Sequence, residues 1–454
     1  MSCTEEEIES IFGRENGNSA IASLYSADSK GEIETIFYNG LKPVTWYSMN
    51  PRPFTHTVSD QVHNYSLESG HSYLFYSYFV AETIPLGVKE EFRHDTRIGW
   101  CRNLLAEIIT SGTLMNDTTT IATIDREWLI FYPEFYIEGG IAQYDRDVGN
   151  QAVLVEMSTA LPRKRLSLRQ PWFYANCSSS AFPLFYLNSQ TSLVHKYRFN
   201  LAISELLRME ILVDGSWKLV KPELHRLIGV PEGGTLPAPE LWANMGKVSE
   251  NEITWNKCNR KLMPIYVETV VAATSTDKLG YGSQTTVQLK PGGPVKAIFW
   301  GLRNKSSDFY NVRSNYTADI GNPTQGATVA GKCSLEYRET QKLEEMDPEH
   351  FEMQLLRDHL PSVPRTRGFY GYVFCYDVAT HGDNVAALLG ALDSKFTIKL
   401  EDPEEYGWKS GNVNVRTLQP IQPAQNSPEF SLVLRMLVMR KFTLNNMGEF
   451  RKVY

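Results

Sequence analysis

The chain has 454 residues, 42% apolar and 21% charged, which excludes a disordered polymer and suggests two or three domains of about 100–200 residues each. With 45 Lys and Arg against 52 Asp and Glu, the formal charge of −7 argues against a chain whose main work is coating nucleic acid. No apolar run reaches the roughly 18–20 residues needed to cross a bilayer, and the opening MSCTEEEIES is acidic where an export signal is basic and then apolar.

Residues 1–40 read as an N-terminal arm. Thr4 and Glu7 fit a capping box, and Ile8, Ile11 and Phe12 would share one face of a helix too short to be stable alone. Such a segment is either a frayed terminus or an arm that docks on a neighbouring subunit or a second protein.

From about residue 40 the pattern is β. Ser72–Ala81 (SYLFYSYFVA) is apolar on both alternating faces, as a strand between two layers would be. Thr118–Ile124, Ala152–Met157, Val194–Leu201, Ile265–Ala272, Thr285–Leu289, Val295–Trp300, Phe369–Cys375, Phe396–Leu400 and Phe430–Val438 read as further strands. Turn clusters such as PEGGTLPAPE and KPGGPVK separate them. Helical signal is scarce: Asn103–Thr110 is short and ambiguous, and Asp347-Pro348 would cap a helix over EHFEMQLLRDHL. Many short strands with long loops predict β-sandwiches or barrels. A join near residue 275 divides the chain into units 41–275 and 276–454.

Motifs for chemistry are sparse. Gly326–Cys333 (GATVAGKC) matches a phosphate-binding loop except that Cys333 stands where a magnesium-ligating hydroxyl is needed, and a glycine-rich surface loop is the better reading. The nine histidines show no metal spacing, and no cofactor is expected. Asp125 and Glu127 flank Arg126; an ion-paired surface is favoured over a glycosidase carboxylate pair. Cys3, Cys101, Cys177, Cys258, Cys333 and Cys375 form no C-x-x-C pair and read as reduced thiols. Pro162 precedes the one concentrated basic run, Arg163, Lys164 and Arg165, which is either a solvated loop or a contact for an acidic partner, a nucleic acid or anionic lipid. The acidic run Glu401-Asp402-Pro403-Glu404-Glu405 could meet such a patch on a neighbour.

Several stretches, in order, carry a family resemblance. Ile98–Glu107 (IGWCRNLLAE) and Thr123–Leu129 (TIDREWL) come first, then Phe182–Leu187 (FPLFYL) with Tyr197-Arg198-Phe199. Ile265–Glu268 (IYVE) follows, in the place of a last strand of the first barrel. Pro294–Trp300 (PVKAIFW) and Gly368–Phe374 (GFYGYVF) complete the set. Together these resemble the double jelly-roll major capsid proteins of large icosahedral eukaryotic DNA viruses, such as iridoviruses, phycodnaviruses and marseilleviruses. Asp383–Leu389 (DNVAALL) replaces one stretch typical of that family.

The resemblance implies an all-β fold of two consecutive eight-stranded antiparallel jelly rolls, with long loops and a few short helices. It implies a structural, non-enzymatic shell subunit, forming homotrimeric pseudo-hexagonal capsomers. Its partners would be itself, minor capsid proteins and, in some shells, an inner membrane, with no specific nucleic acid. It would reside in the virion, assembled in the host cytoplasm. Ile8, Ile11, Phe12, Arg163, Lys164 and Arg165 are the candidate assembly contacts. Two other readings stay open at this point: a two-domain β-sandwich enzyme acting on glycans, and a non-viral β-rich interaction protein.

Overall fold

The computed structural model describes residues 50–453, apart from 68–71, 138, 176–179, 189–191, 248–249, 260–261, 275–277, 338–339, 355, 379–393, 402–412, 415–418, 421–428 and 447. The N-terminal arm, the Asp383–Leu389 stretch and the acidic run beyond Glu401 therefore lie outside the described residues.

Two pairs of antiparallel sheets dominate. In the first pair, Asn50–Pro53, Glu240–Lys247, Ser72–Glu82 and Arg165–Arg169 lie side by side, with Phe182–Pro183 also on Ser72–Glu82. Opposite them run Thr55–Ser59, Val62–Leu67, Leu193–Phe199, Ile109–Asn116 and Thr119–Asp125. Phe79 of one sheet meets Tyr197 of the other at 4.7 Å and Tyr65 at 5.7 Å between ring centroids, so the sheets pack face to face.

The second pair sets Leu262–Thr274, Phe430–Asn445, Val295–Asn304 and Tyr370–Val373 against Gln284–Leu289, Ser394–Leu400, Ala330–Tyr337 and Thr340–Met346. Trp300 bridges the layers, its ring 4.9 Å from that of Phe396. Two small three-stranded sheets flank the first sandwich.

Several expected elements change identity. Ile265–Glu268, expected to close the first unit, pairs along Leu262–Thr274 with Phe430–Asn445 and so belongs to the second sandwich. Its partner lies more than 150 residues away in sequence, and local alternation carries no information about that choice. Ala152–Val155 is a helical turn rather than a strand, because a short apolar run has no period that separates the two. Phe182-Pro183 is extended, but Leu184–Tyr186 turns into a 3-10 helix. His350–Gln354 forms a π-helical turn where an α-helix was expected.

Among the described residues, three helices of eight or more residues went unforeseen, Arg126–Tyr136, Ile141–Val148 and Glu250–Asn259. The first contains Pro133, which removes an internal hydrogen bond and reads as a helix breaker. The second ends at Gly149, whose φ of +106° falls where glycine is favoured, with a Cβ there meeting Leu104 at 3.3 Å.

Candidate functional site

The most constructed feature of the molecule is the junction between the sandwiches. Thr123–Leu129 builds it. Asp125 ends a strand in extended geometry, and its side chain accepts the Trp128 backbone N–H at 2.9 Å, capping the Arg126–Tyr136 helix. That helix buries Trp128, Leu129, Ile130, Phe131 and Phe135.

Phe135 packs 4.5 Å from Phe299, Trp128 lies 5.6 Å from the same ring, and Phe131 lies 5.2 Å from Phe369. The helix thus covers the outer face of the second sandwich. This is why Val295–Asn304 is buried at every position: Ile298, Trp300 and Leu302 face inward, while Ala297 and Phe299 face the helix. Each large apolar side chain so enclosed contributes about 1.5–3 kcal/mol relative to exposure.

The edges of the two sandwiches also bond directly. The Thr123 backbone N–H donates to Thr269 Oγ1 at 3.0 Å, and Thr123 Oγ1 donates to the Val270 carbonyl at 2.9 Å. Glu134 accepts the backbone N–H groups of Arg365 at 2.8 Å and Thr366 at 3.1 Å.

Beside this apolar seam lies a buried ionic cluster. Arg435, on Phe430–Asn445, contacts Asp125 at 2.8 Å and Glu127 at 3.2 Å. Arg303, on Val295–Asn304, reaches Glu127 at 3.1 Å and holds both oxygens of Asp308 at 2.7 Å. Arg126 bonds Glu127 at 2.6 Å and faces Glu107 at 3.7 Å. Burial pushes the Glu127 carboxyl up, but Arg126, Arg435 and Arg303 outweigh it and hold the pKa at about 2. Glu107 is different. Only 2% of its side chain is exposed, neither oxygen accepts a hydrogen bond among the described residues, and burial raises its pKa against the pull of Arg126.

This arrangement can fix an angle, and it leaves Asp125 and Glu127 poorly suited to act as a general acid. A carboxyl held near pKa 2 donates no proton at neutral pH, and Asp125 is committed to a helix cap and Arg435. Asp125 and Glu127 are ion-paired as expected, but at a buried junction rather than on a surface. Glu107, Arg303 and Arg435 were missed as members. Arg303 lies 176 residues from Glu127 and Arg435 lies 310 from Asp125, so no spacing rule could join them.

The other candidate residues are scattered. Gly331, Lys332 and Cys333 lie within the Ala330–Tyr337 strand, Cys333 is buried, and no helix follows, so the phosphate-loop geometry is absent there. Arg163 pairs with Glu82 across the sheet. Arg165 begins Arg165–Arg169, the outermost strand on its side, and both Lys164 and Arg165 are exposed. Ile8, Ile11 and Phe12 lie outside the described residues.

Residues 252–421 match the family described as large eukaryotic DNA virus major capsid protein. Over 391 residues the chain is 24% identical to the major capsid protein of Invertebrate iridescent virus 6, covering 76% of this chain and 80% of that one. The chain is similar to the major capsid proteins of large eukaryotic DNA viruses. Its fold agrees with two solved shells. The PBCV-1 virus capsid superposes with a TM-score of 0.63 at 12% identity, covering 89% of this chain and 96% of that one. The Faustovirus major capsid protein gives 0.61 at 8% identity, covering 87% and 90%.

The fold is accordingly the double jelly roll, and the protein is a structural component of an icosahedral virion shell rather than an enzyme. For a capsid protein the junction takes on a clear meaning. A shell subunit made of two sandwiches tiles reproducibly only if the two hold one relative orientation.

Proposed function

We propose that this capsid protein assembles as a homotrimer whose six sandwiches form a pseudo-hexagonal capsomer. The observation that supports this reading is the apolar and ionic junction, which makes the two sandwiches of one chain a single block. Three such blocks around a three-fold axis present six similar sandwiches to the neighbouring capsomers.

We divide the chain functionally into the arm 1–40 and units 41–275 and 276–454, with the Leu262–Thr274 strand crossing over to serve the second unit. In this reading Ile8, Ile11 and Phe12 dock on a minor capsid component. Arg163, Lys164 and Arg165 act between capsomers, and assembly takes place in the host cytoplasm.

Sedimentation of the purified protein tests the reading. Three copies of the 51.6 kDa chain should run at about 155 kDa and persist at micromolar concentration. A clean monomer across that range would overturn it. Deleting residues 1–20 should leave the trimer intact and impair only larger assembly.

A further inference from the structure

The basic run borders a groove that the shell reading does not by itself explain. The groove, about 430 Å³, is lined by Pro85, Leu86, Ala160, Leu161 and Ile228, with Arg93 at one end. Its floor is a sheet of three very short strands, Leu227–Ile228, Leu86–Val88 and Ala160–Leu161. Ile228 stands 50% exposed, a branched apolar side chain left in water at the rim. Gly229 turns there at φ +84°, and a Cβ would strike the Pro85 carbonyl oxygen at 2.4 Å, so the rim is closely fitted.

The basic run follows the groove's Ala160–Leu161 strand in the chain and is tied by its backbone to the segment that leads into Pro85. Leu161 lines the groove and Arg163 follows two residues later. The Thr83 backbone N–H donates to the Lys164 carbonyl at 2.8 Å, and Pro85 lies two residues beyond Thr83. Arg163 is taken by Glu82 and Arg93 by Glu90. Lys164 and Arg165 are exposed at a sheet edge that no further strand covers among the described residues. Groove and rim together suit an acidic segment bearing a bulky apolar side chain.

The chain itself contains such segments: the arm, with Glu5, Glu6 and Glu7 before Ile8, and a second that starts from a described strand. Glu401-Asp402-Pro403-Glu404-Glu405 is followed by Tyr406 and Trp408. The run begins where the Ser394–Leu400 strand of the second sandwich ends, with the Glu401 N–H bonded to the Val329 carbonyl at 3.0 Å. The basic groove is on the first sandwich and the acidic run starts from the second. Unlike patches on one chain make head-to-tail contacts, the kind that close a ring or extend a shell.

We propose that the groove between Pro85 and Ile228, together with Lys164 and Arg165 beyond its Leu161 edge, receives the acidic run 401–408 of a neighbouring copy. The proposal rests on the shell-subunit reading and names one contact within it. Lys164 and Arg165 bind the carboxylates, and Tyr406 or Trp408 fills the apolar floor.

A labelled peptide of residues 400–409 is the probe, titrated against the intact protein by fluorescence anisotropy. Saturable binding should weaken about tenfold in the doubly reversed K164E/R165E protein and on raising salt from 0.1 to 0.5 M. Ile228→Asp should weaken it independently of salt. In assembly assays, E404K/E405K should lose higher association and regain it when mixed with K164E/R165E. No saturable binding of the peptide, or binding indifferent to K164E/R165E and Ile228→Asp, overturns the contact. Failure of the unaltered protein to form trimers by sedimentation would instead strike the underlying reading, and the peptide result separates the two.

Discussion

Inside the first sandwich a chain of hydrogen bonds runs from Ser77 through the Tyr174 hydroxyl, 2.8 Å away, to His195 Nε2 at 2.7 Å. Beside it, Trp172 Nε1 donates to the Tyr197 hydroxyl at 3.0 Å, which donates to Gln170 at 3.1 Å. Inside the second sandwich the centre is Trp300, surrounded by Phe351, Tyr370 and Phe396, with Leu434 and Met436 in the same core. The first centre is joined by side-chain hydrogen bonds and the second by packed rings. Buried polar chains tolerate few rearrangements, because any broken link strands a desolvated group. An apolar core tolerates a change of shape but not a loss of volume.

The largest expected effect is on the second core. Trp300→Ala should cost about 3–5 kcal/mol in urea unfolding, the range for emptying a large buried ring site. A loss below about 1 kcal/mol would show that this core collapses freely, and the contrast in packing would be wrong.

Arg435→Ala comes next, at about 3 kcal/mol, because it leaves Asp125 and Glu127 short of a cation at a buried junction. It should also split a single unfolding transition into two, since the junction is what makes the sandwiches one block. Calorimetry reads this directly. A variant that is destabilised yet still melts in one step would place the coupling in the aromatic seam of Trp128, Phe131 and Phe135 instead.

The third expectation concerns pH and belongs to the first core alone. Burial lowers the His195 pKa from 6.5 to about 3. The folded state keeps the ring neutral, while the unfolded chain takes up a proton below about pH 6.5. Stability should therefore fall by about 1.4 kcal/mol per pH unit between about 6 and 3, and be unaffected by this residue above 7. Comparing the pH dependence of melting in His195→Gln with the unaltered protein checks it. An unchanged acid slope would mean that His195 is charged in the fold and that the hydrogen-bond chain is polarised differently.

Much of this protein follows from local pattern. The Ser72–Glu82, Leu193–Phe199, Gln284–Leu289, Val295–Asn304, Ser394–Leu400 and Phe430–Asn445 strands announce themselves by β-branched and aromatic residues between turn clusters, because half of what makes a strand is its own side chains. The ordered motifs Ile98–Glu107, Thr123–Leu129, Pro294–Trp300 and Gly368–Phe374 were enough to point to the capsid family.

What the sequence did not determine was partnership. Leu262–Thr274 has the same alternation whichever sheet it joins, and only pairing with Phe430–Asn445 assigns it to the second sandwich. Arg126–Tyr136 looks like a broken helix at Pro133 until the outer face of Val295–Asn304 is there to bury its aromatic side. Asp125, Glu127, Arg303 and Arg435 are unremarkable charges one by one. Chain segments hundreds of residues apart have to meet before they become a cluster, because a Coulomb contact depends on distance in space and is blind to distance along the chain.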